Sequence, residues 1–344
     1  MVYNPSEPRD PLGKWVKEHG GASIEDVVSK TSTVDLENMA LDDRTPTAVL
    51  NNLATTEYGF NHPFDEDMTY PNANGEPPKD KRENRYNYEQ QSVRYDTKVR
   101  GAVAGNPHTP KNVTERLLND NEAIVRAETL KRSDLSSEQI RKAVNDALEP
   151  TSHKAGAVTD DMTKIIRAAS GNWQADADTL HECLRLNDYE TQRNVAEHEH
   201  TSQEDLHRLA SSEDSAVREQ VAFNPHASSA TLSFLSYDDW TQTRVNVAGN
   251  PNTTPDTLEY MSNQWSPHVK RAIAVNSNAP VDTLRKLSHD SDKTVRRLAY
   301  SGLKQKGEKP IDKPFKPDKP VEDDNPGKYM SADFDPLEFF GLDN

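Results

Sequence analysis

Few side chains in this sequence are spaced to do chemistry together. His198-Glu199-His200 holds a compact pair of imidazoles, and His181 and His207 stand 26 residues apart. A zinc site needs three or four ligands converging on one point, and two histidines at i and i+2 do not face each other, so no metal site is expected. Cys183 is the single cysteine, which excludes an internal disulfide or thiolate cluster. It falls where leucine usually stands and reads as a small core residue. Asp65-Glu66-Asp67 offers oxygen ligands without the loop spacing that calcium requires. No nucleophile with a base and an orienting group, no phosphate-cradling glycine loop and no paired carboxylates stand out. The expectation is no catalytic residue, no cofactor and no enzymatic activity.

The remaining candidate is a row of basic residues, Arg100, Arg126, Arg218, Arg244, Lys270 and Arg296. A basic row suggests nucleic acid, but 41 Lys+Arg against 57 Asp+Glu leaves a net charge of −16, which repels phosphate backbones. An acid stands six residues before several of these positions: Asp120 before Arg126, Asp238 before Arg244, Asp290 before Arg296. Where the earlier residue is Gln264 the later one is Lys270, and where it is Leu186 the later one is the uncharged Gln192. An Asp–Arg ladder tying each unit to the next explains both the charges and their absence. The alternative is a DNA-facing groove.

These residues recur because the chain does. The anchors Arg100, Arg126, Ile166, Gln192, Arg218, Arg244, Lys270 and Arg296 advance by 26 residues at every step except one. The step from Arg126 to Ile166 is 40, an insertion of 14 residues near 147–160. A further copy at Leu36 lies 64 residues before Arg100, an insertion of 38 near 57–94. Asn recurs six places after the anchor, and apolar pairs such as Leu206/Leu209 and Leu232/Leu235 recur at fourteen and seventeen. A fixed period of this size means a repeat architecture. The expected fold is all-α, a right-handed α-solenoid of about eight 26-residue two-helix repeats and a terminal half repeat, Thr294 to Leu303.

Each unit spells its helices locally. The first ends at Asn-Pro, since proline cannot continue a helix and asparagine tolerates a left-handed exit. The second opens at Thr109-Pro110, Thr254-Pro255 or Ser202-x-x-Asp205, with a hydroxyl at the N-cap and proline at the first helical position or an acid completing a capping box. Stacking buries one stripe per helix, so 33% hydrophobic residues suffice.

The pattern Val-Arg-x-x-Val-Ala-x-Asn-Pro-x-Thr-Pro-x-x-x-Leu-x-x-Leu-x-x-Asp resembles the leucine-rich repeat variant family, relatives in architecture of HEAT repeats, over Leu36–Leu303. Some members of that family carry an N-terminal cysteine cluster for iron–sulfur. This sequence has no cysteine there, and that role is not carried over. The groove alternative corresponds to the HEAT-like alkylpurine DNA glycosylases, which need a basic concave face.

Three segments lie outside the repeat. Residues 1–35 form an arm and cap, with Trp15 placed to cover the first repeat. Their phrase Arg9-Asp10-Pro11-Leu12-Gly13-Lys14-Trp15 resembles the termini of tailed-phage head and morphogenesis proteins. The 57–94 insertion, read as a long loop, offers Tyr58, Phe60, Phe64, Tyr70, Tyr86 and Tyr88 as binding anchors. Residues 304–344 form an extended Lys/Pro-rich tail ending in Phe334, Leu337, Phe339, Phe340 and Leu342 among acids, a docking peptide for a partner or for the chain's own solenoid.

The function expected is a non-enzymatic protein-binding scaffold, a structural or accessory protein of a phage virion, made in the host cytoplasm. Its partners are expected to be capsid or other virion proteins, with self-assembly left open, no nucleic acid and no membrane. The alternatives are a cytoplasmic adaptor or inhibitor of a host protein and, behind it, the glycosylase-like enzyme.

Overall fold

The computed structural model describes residues 33–43, 45, 47–55, 77–79, 81–149 and 159–308, with backbone alone at 33, 34, 55, 84 and 86–96. Among the described residues there are seventeen α-helices, one 3-10 turn at Leu184–Leu186 and no strand. First helices of the repeat are α1 (Thr33–Leu41), α3 (Lys81–Gly105), α5 (Ala123–Leu130), α7 (Asp160–Ser170), α9 (Tyr189–Glu197), α11 (Ser215–Phe223), α13 (Thr241–Gly249), α15 (Pro267–Val275) and α17 (Lys293–Gln305). Second helices are α2 (Thr47–Thr55), α4 (Lys111–Leu117), α6 (Ser137–Leu148), α8 (Ala177–Cys183), α10 (Gln203–Leu209), α12 (Ser229–Leu235), α14 (Pro255–Met261) and α16 (Val281–Leu287).

The chain divides into two compact units, Met1–Ala175 and Asp176–Asn344. In the first, α1 packs on α3, α3 on α5 and α5 on α7, while α2, α4 and α6 lie against the following first helix. The second repeats this scheme: α9, α11, α13, α15 and α17 stack in order, flanked by α10, α12, α14 and α16. This neighbour-on-neighbour stacking is an α-solenoid.

The stripe predicted from the spacing is the core. Leu206, Val221, Leu232, Leu258, Ile273 and Leu284 are fully buried, each side chain contributing roughly 1.5–3 kcal/mol of burial. Gly302 closes the stack. A Cβ there would meet the carbonyl oxygen of Ala274 at 2.8 Å, so only glycine lets α17 approach α15 this closely.

Helix ends leave carbonyls without partners, and the recurring asparagine resolves this between repeats. Asn250 donates its amide to the carbonyls of Ala222 (2.9 Å) and Asn224 (2.9 Å), at the end of the preceding first helix. Its own oxygen accepts the Asn252 N–H at 2.9 Å. Asn106, Asn172, Asn224 and Asn276 do the same. Where the asparagine is replaced, Arg132 spans the carbonyls of Ala104 and Asn106 with one guanidinium nitrogen. The expectation that asparagine serves a left-handed exit is therefore corrected: Asn224, Asn250 and Asn276 are extended, with φ near −62°, −66° and −72°. The proline after Asn224 and Asn250 favours that conformation, and Asn187 is the non-glycine residue with positive φ among those described.

Two other local readings change. Thr254 caps α14 with Pro255 at the first position, as expected. Thr109 instead turns its hydroxyl to the Val103 carbonyl, and Pro110 takes the N-cap place. Ser202 caps α10, but the Asp205 carboxylate accepts from the Ser202 hydroxyl and not from its backbone, being one methylene too short for a reciprocal box. Residues 81–94, read within a loop, form the start of the 25-residue α3. No proline or glycine interrupts this stretch before Gly101, and Glu83 accepts the Lys79 N–H ahead of it at 2.7 Å.

Two outcomes follow from this packing. Asn250→Ala strands the buried Ala222 carbonyl and leaves the Asn224 carbonyl with the Ala227 N–H alone, and chemical denaturation should show a loss of about 1–3 kcal/mol. Lys142→Ala, which breaks an exposed pair with Asp146, should cost no more than about 0.5 kcal/mol. Burial raises the Glu219 carboxyl above its ordinary range. The native state then holds its proton more tightly than the unfolded chain, so this residue's contribution to stability falls as pH rises from about 4.5 through the raised value. Glu219→Gln should flatten that slope and raise the melting temperature at pH 7; an unchanged slope would contradict the assignment.

Candidate partner-binding surface

Within each unit, turns that follow second helices are held by the basic anchors. Arg218 on α11 donates from Nε to Asp238 Oδ2 at 2.6 Å and from Nη2 to Oδ1 at 3.3 Å. Its Nη1 reaches the carbonyls of Ser212 (2.8 Å) and Glu213 (3.1 Å) in the preceding turn. Donating to the Asp238 carboxylate holds the Arg218 guanidinium above its already high ordinary pKa. Arg100–Asp120 and Lys270–Asp290, each 2.7 Å, are equivalent, and Ser212 donating to Gln192 at 2.8 Å is the uncharged form.

The ladder thus exists in a different register from the one expected. Asp120, Asp238 and Asp290 place their carboxylates on the anchor twenty residues earlier. Arg126, Arg244 and Arg296, six residues later, bond to the backbone carbonyls of those same aspartates. The cause is local: each carboxylate also accepts the N–H two residues on, at Glu122, Trp240 and Asp292 (2.8–2.9 Å). That bond turns the side chain back toward its own repeat.

One rung is broken. The residue twenty places after Arg244 is Gln264, whose amide donates to the Ser236 carbonyl at 3.0 Å. Arg244 Nε and Gln264 Oε1 are both buried without a hydrogen-bond partner, and no carboxylate pairs with Arg244 among the described residues. At this rung the surface becomes aromatic. Phe234 (53% exposed), Tyr237 (65%), Tyr260 (43%) and Trp265 (67%) follow along α12, α14 and their turns. Tyr237 and Tyr260 stack with ring centroids 4.7 Å apart, and His207 meets Phe234 edge-on at 6.5 Å. Burial, followed by the neighbouring Tyr237, raises the Tyr260 phenol above its usual pKa. In the turn after α14, Lys286 donates to Ser262 at 3.3 Å and to Asn263, with no carboxylate partner among the described residues.

The residues weighed for chemistry do not assemble a reactive site. Cys183 is fully buried, and burial pushes its thiol to about 12, leaving little thiolate at neutral pH. His181 pairs with the buried Asp205 at 2.9 Å, and His207 reaches Thr231 at 3.1 Å, in the equivalent place one repeat on. The rings of His198 and His200 are 5.3 Å apart. Among the described residues no three His, Cys, Asp or Glu side chains converge as metal ligands, and no helix is long and apolar enough to cross a membrane.

Of the binding residues read from the sequence, Trp15, Tyr58, Phe60, Phe64, Tyr70, Phe334, Leu337, Phe339, Phe340 and Leu342 lie outside the described residues. Tyr86 and Tyr88 belong to the backbone of α3. Sequence reasoning passed over Phe234, Tyr237, Tyr260 and Trp265, although a signal was present: large aromatics sixteen to twenty-one places after the anchor, off the core stripe.

No family model matches the chain, and no curated protein does. Among solved structures it is similar to a leucine-rich repeat variant with a novel repetitive structural motif. The identity is 21% and the TM-score 0.43, over 63% of this chain and 81% of that one. Two engineered proteins are each 13% identical. Their TM-scores are 0.32 (86% of this chain, 78% of that one) and 0.22 (88% and 99%).

The corrected register makes a clean distinction. Asp238→Ala strands Arg218 and should lower stability by about 1–3 kcal/mol, whereas its exposed neighbour changed as Asp239→Ala should stay within about 0.5 kcal/mol. A double-mutant cycle should find coupling of Asp238 to Arg218 Nε, and equal effects of the two aspartate changes would remove the ladder.

Proposed function

We propose that this protein is a non-enzymatic scaffold that binds other proteins, with its place in a tailed-phage virion as a structural or accessory component. The observation that carries the binding reading is the aromatic strip from Phe234 to Trp265 on a broken rung of the ladder. Large exposed aromatics gathered on successive turns, with Tyr237 and Tyr260 in ring contact, mark an interaction surface, and these residue types dominate binding energy at protein interfaces. Stacked repeats supply a long, regular surface on which such a row can be displayed. The virion assignment draws its support from the Arg9–Trp15 phrase, which resembles termini of phage head and morphogenesis proteins.

Mass spectrometry of purified particles from a phage encoding this chain should find it at a fixed ratio to the capsid protein. The triple variant Tyr237→Ser, Tyr260→Ser, Trp265→Ser should melt within a few degrees of the parent and be depleted from particles at least about tenfold, a loss of ~1.4 kcal/mol or more. Absence of the parent chain from particles would sink the virion assignment. Undiminished incorporation of the variant would sink the strip as the interface.

A further inference from the structure

The surface reading leaves open what chemistry the strip accepts, and the next step rests on that reading. Two cations near the strip have no carboxylate partner among the described residues: Arg244, close enough to Tyr260 for its charge to act on the phenol, and Lys286, bonded to Ser262 and Asn263 in the turn after α14. The ladder neutralises the equivalent anchors Arg100, Arg218 and Lys270, whereas Arg244, like Arg126, bonds to backbone carbonyl oxygen and not to a carboxylate. Loss of the acid at Gln264 costs a rung and leaves two buried polar atoms unpaired. A carboxylate arriving from elsewhere would supply the negative charge that this rung lacks beside the Arg244 guanidinium. Asp239 and Glu259 border the strip, so the match is to an aromatic segment with a few spaced acids and not to an acidic polymer.

We propose that the occupant is the C-terminal segment of this chain, residues 333–342, docked on the strip of its own solenoid. Asp333-Phe334-Asp335-Pro336-Leu337-Glu338-Phe339-Phe340 alternates acids with large apolar side chains and contains no basic residue. It supplies carboxylates for Arg244 and Lys286 and apolar area for Tyr237, Tyr260 and Trp265. The reach is ample. The described chain leaves α17 at Glu308, and residues 309–332 span up to roughly 75 Å at about 3.1 Å per residue. From α17 back to α13 is two first-helix steps at about 8–10 Å each. A protein partner would then have to displace the tail to reach the strip.

The test uses the full-length chain with a photo-crosslinking phenylalanine analogue in place of Phe339. Irradiation at micromolar concentration should give crosslinks at monomer mass that map to peptides containing Tyr237, Tyr260 or Trp265. Gln264→Asp restores the rung, neutralises Arg244 and adds an acid beneath the strip. It should melt no lower than the parent yet lose roughly tenfold of the crosslink yield, and 0.5 M salt should reduce the parent's yield in the same direction. Crosslinks elsewhere on the chain, crosslinks at dimer mass, or no effect of Gln264→Asp would each overturn the proposal. Because particle incorporation of the strip variant is measured separately, a missing crosslink with strip-dependent incorporation removes the tail alone. Strip-independent incorporation removes the surface reading.

Discussion

Everything in each unit depends on how a first helix ends. The carbonyls of Ala196, Ala222 and Ala248 take their bond from a side chain of the next repeat, Asn224, Asn250 and Asn276 in succession, and the same amides join the N–H of the local turn on the carbonyls of His198, Asn224 and Asn250. An unpaired buried carbonyl costs about as much as a lost hydrogen bond, so each repeat completes the one before it. This is the polar counterpart of stacking apolar stripes, and it fixes the register between repeats more sharply than leucine packing can. Burial is non-directional, whereas an amide spanning two carbonyls tolerates little slip. Arg132 makes the same point chemically, since a guanidinium can take the amide's place because it too presents donors in a fixed plane.

The charged ladder plays a second, separable part on the turn edge. Its rungs vary in chemistry, from Arg–Asp and Lys–Asp to Gln–Ser, while the geometry persists. A strap that survives such changes of charge is a positional device, with the ion pair adding to it. Against that background the rung at Arg244 and Gln264 stands apart. It gives up a charge pair and a satisfied amide at the place where four aromatic side chains face solvent. Local rules broken without a local gain are the mark of sites shaped by something other than folding.

The histidines and the cysteine show how the repeat absorbs residues that could carry chemistry. His181 and His207 each reach across to the next repeat's helix, to an acid in one case and a hydroxyl in the other. Cys183 fills a leucine position in the core. Each sits where the period places it, and its partners are those that the neighbouring repeat brings within reach.

The sequence by itself determined the period, the two helices per repeat, the core stripe and most N-caps. Those features are set by interactions within a few residues, which spacing records directly. Tertiary structure alone decided which side chain meets which. A period of 26 makes the residue six places before one anchor also the residue twenty places after the previous one, so periodicity cannot tell the two ladder registers apart. The turn decides, because each aspartate's bond to the N–H two residues on aims its carboxylate backward. The same limit hid the role of asparagine, whose value lies in the preceding repeat's carbonyls and not in its own backbone angle. It also hid the aromatic strip, since residues 23 to 28 positions apart become neighbours only once the helices have stacked.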